Sequence, residues 1–195
     1  GLAGAMALLA ALYHRDVAGG PGQIIDNAIC EANLRLIEYM VLEHDQLGVV
    51  PGRQGNRLPG LAPRNAYPTL DGGYVAISGG TQSTVARLFE AIGRPELTVD
   101  PRFATAAGRV ANVAALDAII GGWIVERTTG TVMEVFDRFE VAAAPVADIA
   151  QVFANPHYRA RGTIVEVEDE DLGRVRTLAP HPRLSATPGR IRGMG

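Results

Sequence analysis

Residues 48–66, GVVPGRQGNRLPGLAPRNA, hold four Gly and three Pro and show no hydrophobic period. Proline removes a backbone donor and glycine raises the entropic cost of a regular element, so this stretch reads as a long linker or functional loop. It places a domain boundary in the chain and leaves two pieces to be read separately.

In the first piece, Leu2, Ala5, Met6, Leu9, Leu12 and Tyr13 recur at the i, i+3, i+4, i+7 spacing of one helix face, with no Ser, Thr, Asp or Asn ahead of them as a cap. The run has no basic n-region and is far shorter than the roughly 18 apolar residues of a membrane span, so it reads as a buried helix rather than a targeting segment. Gly19, Gly20 and Gly22 then predict a tight turn, followed by a short strand at Ile24 and Ile25. From Ala28 to about His44, Ile29, Ala32, Leu36, Tyr39 and Met40 predict a single amphipathic helix, with Glu31 and Arg35 pairing at i, i+4.

The second piece opens with YPTLDGGYVAIS, a hairpin signal whose turn is Asp71, Gly72 and Gly73 and whose returning strand is Tyr74–Ile77. Thr81 is placed to cap a helix with apolar face Val85, Leu88, Phe89 and Ile92, stopped by Gly93. Asp100-Pro101 predicts another helix start, and Thr131 with Glu134 and Asp148 with Gln151 fit capping boxes. Val113, Leu116, Ile120, Trp123 and Ile124 form one helical stripe; Val132, Val135, Phe136 and Phe139 form another. Asn155-Pro156 caps a short turn ending at Gly162, and strands over 163–167 and 174–178 make a second hairpin around an acidic turn. The tail from 179 shows no regular element.

The composition, 47% hydrophobic and 20% charged, is that of an ordinary globular protein, and a net charge of -3 gives no electrostatic footprint for nucleic acid. All 18 basic residues are Arg, which excludes a Schiff-base or phosphate-loop lysine within this chain. The single cysteine, Cys30, excludes an internal disulfide and any CxxC site, fits a reducing, cytoplasmic setting, and is expected as a small buried hydrophobe. His14, His44, His157 and His181 stand in separate segments with no metal-ligand spacing, so no metal is expected. No GxSxG elbow marks a nucleophile. Gly79-Gly80-Thr81-Gln82, a glycine pair between strand and helix, either presents backbone N–H groups to an anion or merely turns the chain.

Several stretches in order, GLAGAMALLAALYHRDVAGGPGQIID, the YPTLDGGYVAI hairpin, IGRPEL with DPRF and Arg109, APV with ANPHYRARG, and PRLSATPGRIR, together resemble the class III CoA-transferases. This is the superfamily of formyl-CoA transferase, carnitine CoA-transferase and α-methylacyl-CoA racemase. The resemblance implies a mixed α/β (α+β) fold: 1–50 as the last part of the N-terminal half of a Rossmann-like large domain, 51–66 as linker, 67–178 as the α+β small domain, and 179–195 as a return linker.

It further implies an interlocked homodimer, coenzyme A as co-substrate with no permanently bound cofactor, an acyl-CoA and a carboxylic acid as partners, and neither nucleic acid nor membrane. The family's nucleophile is an Asp, expected just upstream of Gly1. Asp16 and Asp26 are not its equivalents, so no catalytic residue is assigned within the chain, and the chain alone is expected to be inactive. Arg53, Gln54 and Asn56, in the loop before the hairpin, and Gly79, Gly80, Thr81 and Gln82 after it are the candidates for the substrate and CoA side.

That loop reads RQGNRLPGLAPRNA, without the glycine run and Gln of formyl-CoA transferases, which argues against that substrate. Racemases of the superfamily carry a Glu where this chain has Thr81, a poor proton shuttle at neutral pH, so transferase is favoured over racemase. Two other readings stand beside it: a structural, dimer-forming fragment without turnover, and a generic small-ligand-binding α+β module. The last predicts a compact monomer, whereas the transferase reading predicts large exposed apolar faces.

Overall fold

A computed structural model describes residues 1–193 and divides the chain into two units, Gly1–Arg53 and Gln54 onward. The architecture is mixed α/β, with helices around small antiparallel sheets.

The first unit is helical. Helix α1 spans Leu2–Asp16, following Gly1 with no side-chain cap, as its sequence implied. Its apolar face is not buried: Leu2 is 86% and Met6 71% exposed, and no side chain of the unit's helices is buried. The expected strand at Ile24-Ile25 does not form; residues 18–28 are irregular and Ile24 stands in solvent. A strand needs a neighbour to accept its backbone bonds, and no ladder in the described residues involves this segment.

The single helix expected from Ala28 to His44 is instead two, α2 (Ile29–Leu36) and α3 (Glu38–Leu47). Ile37 leaves the helical region at φ -120° and ψ 28°, ending one helix and opening the next. The break also changes the ion pair: Arg35 meets Glu38 across it at 2.7 Å, rather than Glu31. Gly48, left-handed at φ 66°, closes α3 by donating to the His44 carbonyl. Cys30, in the first turn of α2, is exposed rather than buried, on a helix that buries none of its side chains.

The second unit carries the core. Strands β1 (Arg64–Pro68), β2 (Tyr74–Ser78) and β3 (Ala143–Pro145) form an antiparallel sheet in the order β1-β2-β3, with Ala66 opposite Ala76 and Ala76 opposite Ala144. The Asp71-Gly72-Gly73 turn falls where expected, with Gly72 at φ 77°. Alternation puts Tyr67, Val75 and Ile77 on the inner face. Against them pack Val85, Leu88 and Phe89 of α4 (Gln82–Ala91), Leu116, Ile120 and Ile124 of α6 (Val113–Val125), and Val132 and Phe136 of α7 (Thr129–Arg138). Each such buried side chain contributes about 1.5–3 kcal/mol relative to exposure, so this layer holds the unit together. Trp123 stacks on Phe136 at 5.6 Å between ring centres.

Two helix starts differ from their sequence signals. Asp100 accepts the Arg102 backbone N–H and closes only a turn that buries Phe103; helix α5 (Ala106–Ala111) begins later, capped by Thr105. Helix α7 is capped by Thr128, whose hydroxyl accepts the Thr131 N–H, and the Thr131/Glu134 box does not form. By contrast, Thr81 caps α4, and Asp148 with Gln151 makes a reciprocal box on α8 (Ile149–Ala154). Asn155 caps α9 (Pro156–Ala160), and β4 (Ile164–Asp169) pairs with β5 (Gly173–Leu178) as the second hairpin. Residues 179–193 carry no helix or strand. Among the described residues no helix is long and apolar enough to cross a membrane.

Candidate functional site

The loop before β1 is organised by its own glycine and by a distant carboxylate. Residues Gln54–Arg57 form a turn closed by the Arg57 N–H donating to the Gln54 carbonyl at 3.2 Å, with Gly55 left-handed at φ 64°. The turn's last residue then reaches 60 positions along the chain, as Arg57 Nε donates to Asp117 Oδ2 at 2.7 Å. Asn65 Nδ2 donates to the same oxygen at 3.0 Å, and the Tyr67 hydroxyl donates to Oδ1 at 2.6 Å. Asp117, whose side chain is 10% exposed, therefore ties the turn, β1 and α6 to one another. Burial, then the bond to Asp117, push the Tyr67 hydroxyl well above the usual phenol range, so it stays a donor at any ordinary pH.

Beside this turn lies an open cleft of about 600 Å3 on the outer face of the sheet. Its floor is alanine: Ala66, Ala76 and Ala144. Asn56, Arg64, Asn65 and Ser78 stand among its other lining residues.

The Gly79–Gln82 loop leaves the end of β2. Gly79 is buried and its N–H donates to the Pro63 carbonyl at 2.8 Å; a Cβ there would meet the Pro63 ring at 3.0 Å. Thr81 spends its N–H on Thr84 Oγ1 and its hydroxyl on the Thr84 N–H and on Ser83. Gln82 Oε1 accepts Arg109 Nη1 at 2.8 Å; its amide NH2, its backbone N–H and the Gly80 N–H have no partner among the described residues.

Arg109 is only 2% exposed and also donates to the carbonyls of Ala62 and Phe103, both at 3.0 Å, so one guanidinium joins the loop before β1, the Asp100 turn and α4. Desolvation lowers its pKa, and among the described residues its partners are oriented dipoles rather than a carboxylate.

Of the residues singled out in the sequence, Asn56 lines the cleft with Arg64 and Ser78, while Gly79, Gly80, Thr81 and Gln82 follow Ser78 but do not line it. Gln54 sits exposed at the start of the turn, and Arg53 is exposed at the end of the first unit. Sequence reasoning missed Asp117, Tyr67 and Arg64. Asp117 and Tyr67 interrupt or border apolar stripes, and a charged residue inside a buried helical face is the signal that points to such a carboxylate. Among the described residues no group of His, Cys, Asp or Glu is placed to hold a metal ion.

The model of CoA-transferase family III matches residues 1–194. The chain is 38% identical over 187 residues to succinyl-CoA–D-citramalate CoA-transferase of Chloroflexus aurantiacus, covering 96% of this chain and 46% of that protein. It is 32% identical over 178 residues to succinyl-CoA:mesaconate CoA-transferase of Haloarcula marismortui, covering 91% and 44%. Among solved structures, a CAIB/BAIF family protein from Brucella suis superposes with a TM-score of 0.72 at 31% identity, over 96% of this chain and 48% of that one. Rv3272 of Mycobacterium tuberculosis shares the fold, with a TM-score of 0.76 at 23% identity, over 96% and 48%. The chain belongs to the family III CoA-transferases. It spans about half the length of the curated relatives it matches.

Proposed function

We propose that the full-length protein is an acyl-CoA:carboxylate CoA-transferase, and that its donor or acceptor is a dicarboxylic acid. The observation that carries this reading is the family match along the chain, together with relatives named for succinyl, citramalate and mesaconate transfer.

In the proposed reaction a carboxylate oxygen of an Asp just upstream of Gly1 attacks the thioester carbonyl and expels CoA thiolate, giving a mixed anhydride. The thiolate then attacks the aspartyl carbonyl, forming aspartyl-CoA thioester and releasing the donor carboxylate. An acceptor carboxylate repeats the two steps in reverse, which regenerates the Asp and yields the new acyl-CoA. No oxidant or external energy source is needed, because one thioester is exchanged for another. Covalent catalysis divides a difficult exchange between a weak nucleophile and a thioester into easier steps, each needing donors for an oxyanion.

Gly80 N–H and the Gln82 amide, its oxygen held by Arg109, are donors available for that task on the substrate side; Gln54 and Asn56, in the turn before β1, and Gly79 and Thr81, which set the course of the loop after β2, complete the candidate set. The Thr81 hydroxyl is committed to its cap, which favours transfer over α-carbon proton shuttling at this position. In the same reading, 1–50 belongs to the large domain, 51–66 links it to a small domain over 67–178, 179–195 returns, and the protein is an interlocked cytoplasmic homodimer using coenzyme A only as co-substrate.

The test is to incubate the full-length protein with succinyl-CoA and a panel of mono- and dicarboxylic acids and separate the acyl-CoA products. New acyl-CoA from a dicarboxylic acceptor is expected. Racemisation of a 2-methylacyl-CoA without any CoA exchange would overturn the proposal.

A further inference from the structure

The cleft on the outer sheet face is large enough for a small molecule. Its alanine floor leaves the volume unfilled, because Ala66, Ala76 and Ala144 lie opposite one another across the ladder and none has a side chain beyond Cβ. About 600 Å3 is within the roughly 300–1,000 Å3 range of small-molecule sites.

The lining holds one charged side chain, Arg64, and no carboxylate. The arginines around it are committed elsewhere: Arg57 to Asp117, and Arg109 to Ala62, Phe103 and Gln82. Arg64 itself is exposed and has no ion pair or hydrogen bond through its side chain among the described residues. Directly opposite it in the β1–β2 register is Ser78, and Asn56 lines the same cleft; among the described residues neither the Ser78 hydroxyl nor the Asn56 amide has a partner. These groups do not drift freely, since Asp117 fixes both Asn65, next to Arg64, and the turn that carries Asn56.

We infer that this cleft is a carboxylate subsite, in which the Arg64 guanidinium, with Asn56 and Ser78 beside it, holds the distal carboxylate of a dicarboxylic substrate. A planar guanidinium matches a carboxylate with two parallel bonds, which an ammonium cannot do. The alanines accept a short methylene chain without competing for the charge. A phosphate of coenzyme A shares the anionic chemistry, but its greater charge calls for more than one cation, and the lining supplies one.

This inference rests on the transferase reading, and its test separates the two. Arg64→Gln and Arg64→Lys are made in the full-length protein, and KM is measured for succinate and butyrate as acceptors and for acetyl-CoA as donor. Arg64→Gln is expected to raise KM for succinate tenfold or more and to leave the butyrate and acetyl-CoA values within twofold; Arg64→Lys falls between.

An equal change for succinate and butyrate overturns the subsite, as does a rise confined to acetyl-CoA, which would put a CoA phosphate at Arg64. If the wild-type protein transfers CoA to no carboxylate, the transferase reading fails by itself. The subsite is then judged by calorimetric titration with succinate: binding weakened tenfold or more by Arg64→Gln supports it, and unchanged or undetectable wild-type binding overturns it.

Discussion

Removing the Asp117 carboxylate should change the sign of a second mutation's effect. Asp117 accepts from Arg57, Asn65 and the Tyr67 hydroxyl, and Tyr67 is 3% exposed. A hydrogen bond to a charged group is worth about 1.5–3 kcal/mol and a neutral donor left buried without a partner costs about 1–3 kcal/mol. The Arg57 pair adds only about 0.5–1 kcal/mol, because Arg57 is 36% exposed and water replaces its partner. Asp117→Ala is therefore expected to destabilise by about 2–4 kcal/mol.

Tyr67→Phe in the wild-type background loses one charged bond and should cost about 1.5–3 kcal/mol. In the Asp117→Ala background the same change removes an orphaned hydroxyl, so it should be stabilising, a coupling of at least about 1.5 kcal/mol. Urea denaturation of the 195-residue chain reports this through Trp123, its single tryptophan, which lies on α6 with Asp117 and against Phe136. If Tyr67→Phe costs the same in both backgrounds, the two groups are not coupled and the account of the Asp117 cluster is wrong.

Two further outcomes follow from single contacts. Hydrogen bonds from Thr69 and then from the Thr129 backbone hold the Asp71 carboxyl at about 2, below its usual range, so its stabilising effect is present above about pH 4 and lost as pH falls towards 2. Acid unfolding of Asp71→Asn followed by circular dichroism should lack this component, and a profile identical to wild type would refute it. At the start of α7, Thr128→Ala should cost about 1 kcal/mol while Thr131→Ala costs a few tenths, in paired denaturation curves; the reverse order would move the cap to Thr131.

The legible parts of this chain are those where one local cause suffices. The Asp71-Gly72-Gly73 turn needs only backbone freedom, and the Thr81 and Asp148 caps need only an oxygen near an unpaired N–H, so each appears where its residues stand. Thr128 and Thr131 show the limit of such reading. Both are competent caps three positions apart, and packing of Val132 and Phe136 into the core decides which turn comes first. The Ile24-Ile25 pattern likewise satisfied strand propensity but joins no ladder among the described residues. The candidate site was read in part: Asn56 lies on the cleft, but Arg64, which gives the cleft its charge, carries no local signature, and Asp117, which anchors it, shows in the sequence only as a charge inside an apolar helical stripe.

Sequence alone determined the family through an ordered set of stretches along the chain, the two hairpins and the apolar-striped helices of the second unit, and the mixed α/β class. Those follow from periodicity and turn chemistry, which act over a few residues. Only the tertiary structure decided that Arg57, Asn65 and Tyr67 converge on Asp117, that Arg109 joins three segments, and that Arg64 stands beside an alanine floor with no side-chain partner among the described residues. Partners 50–60 positions apart are chosen by how the sheet and helices pack, because burial makes an unpaired polar group costly and forces each to find a partner across the fold.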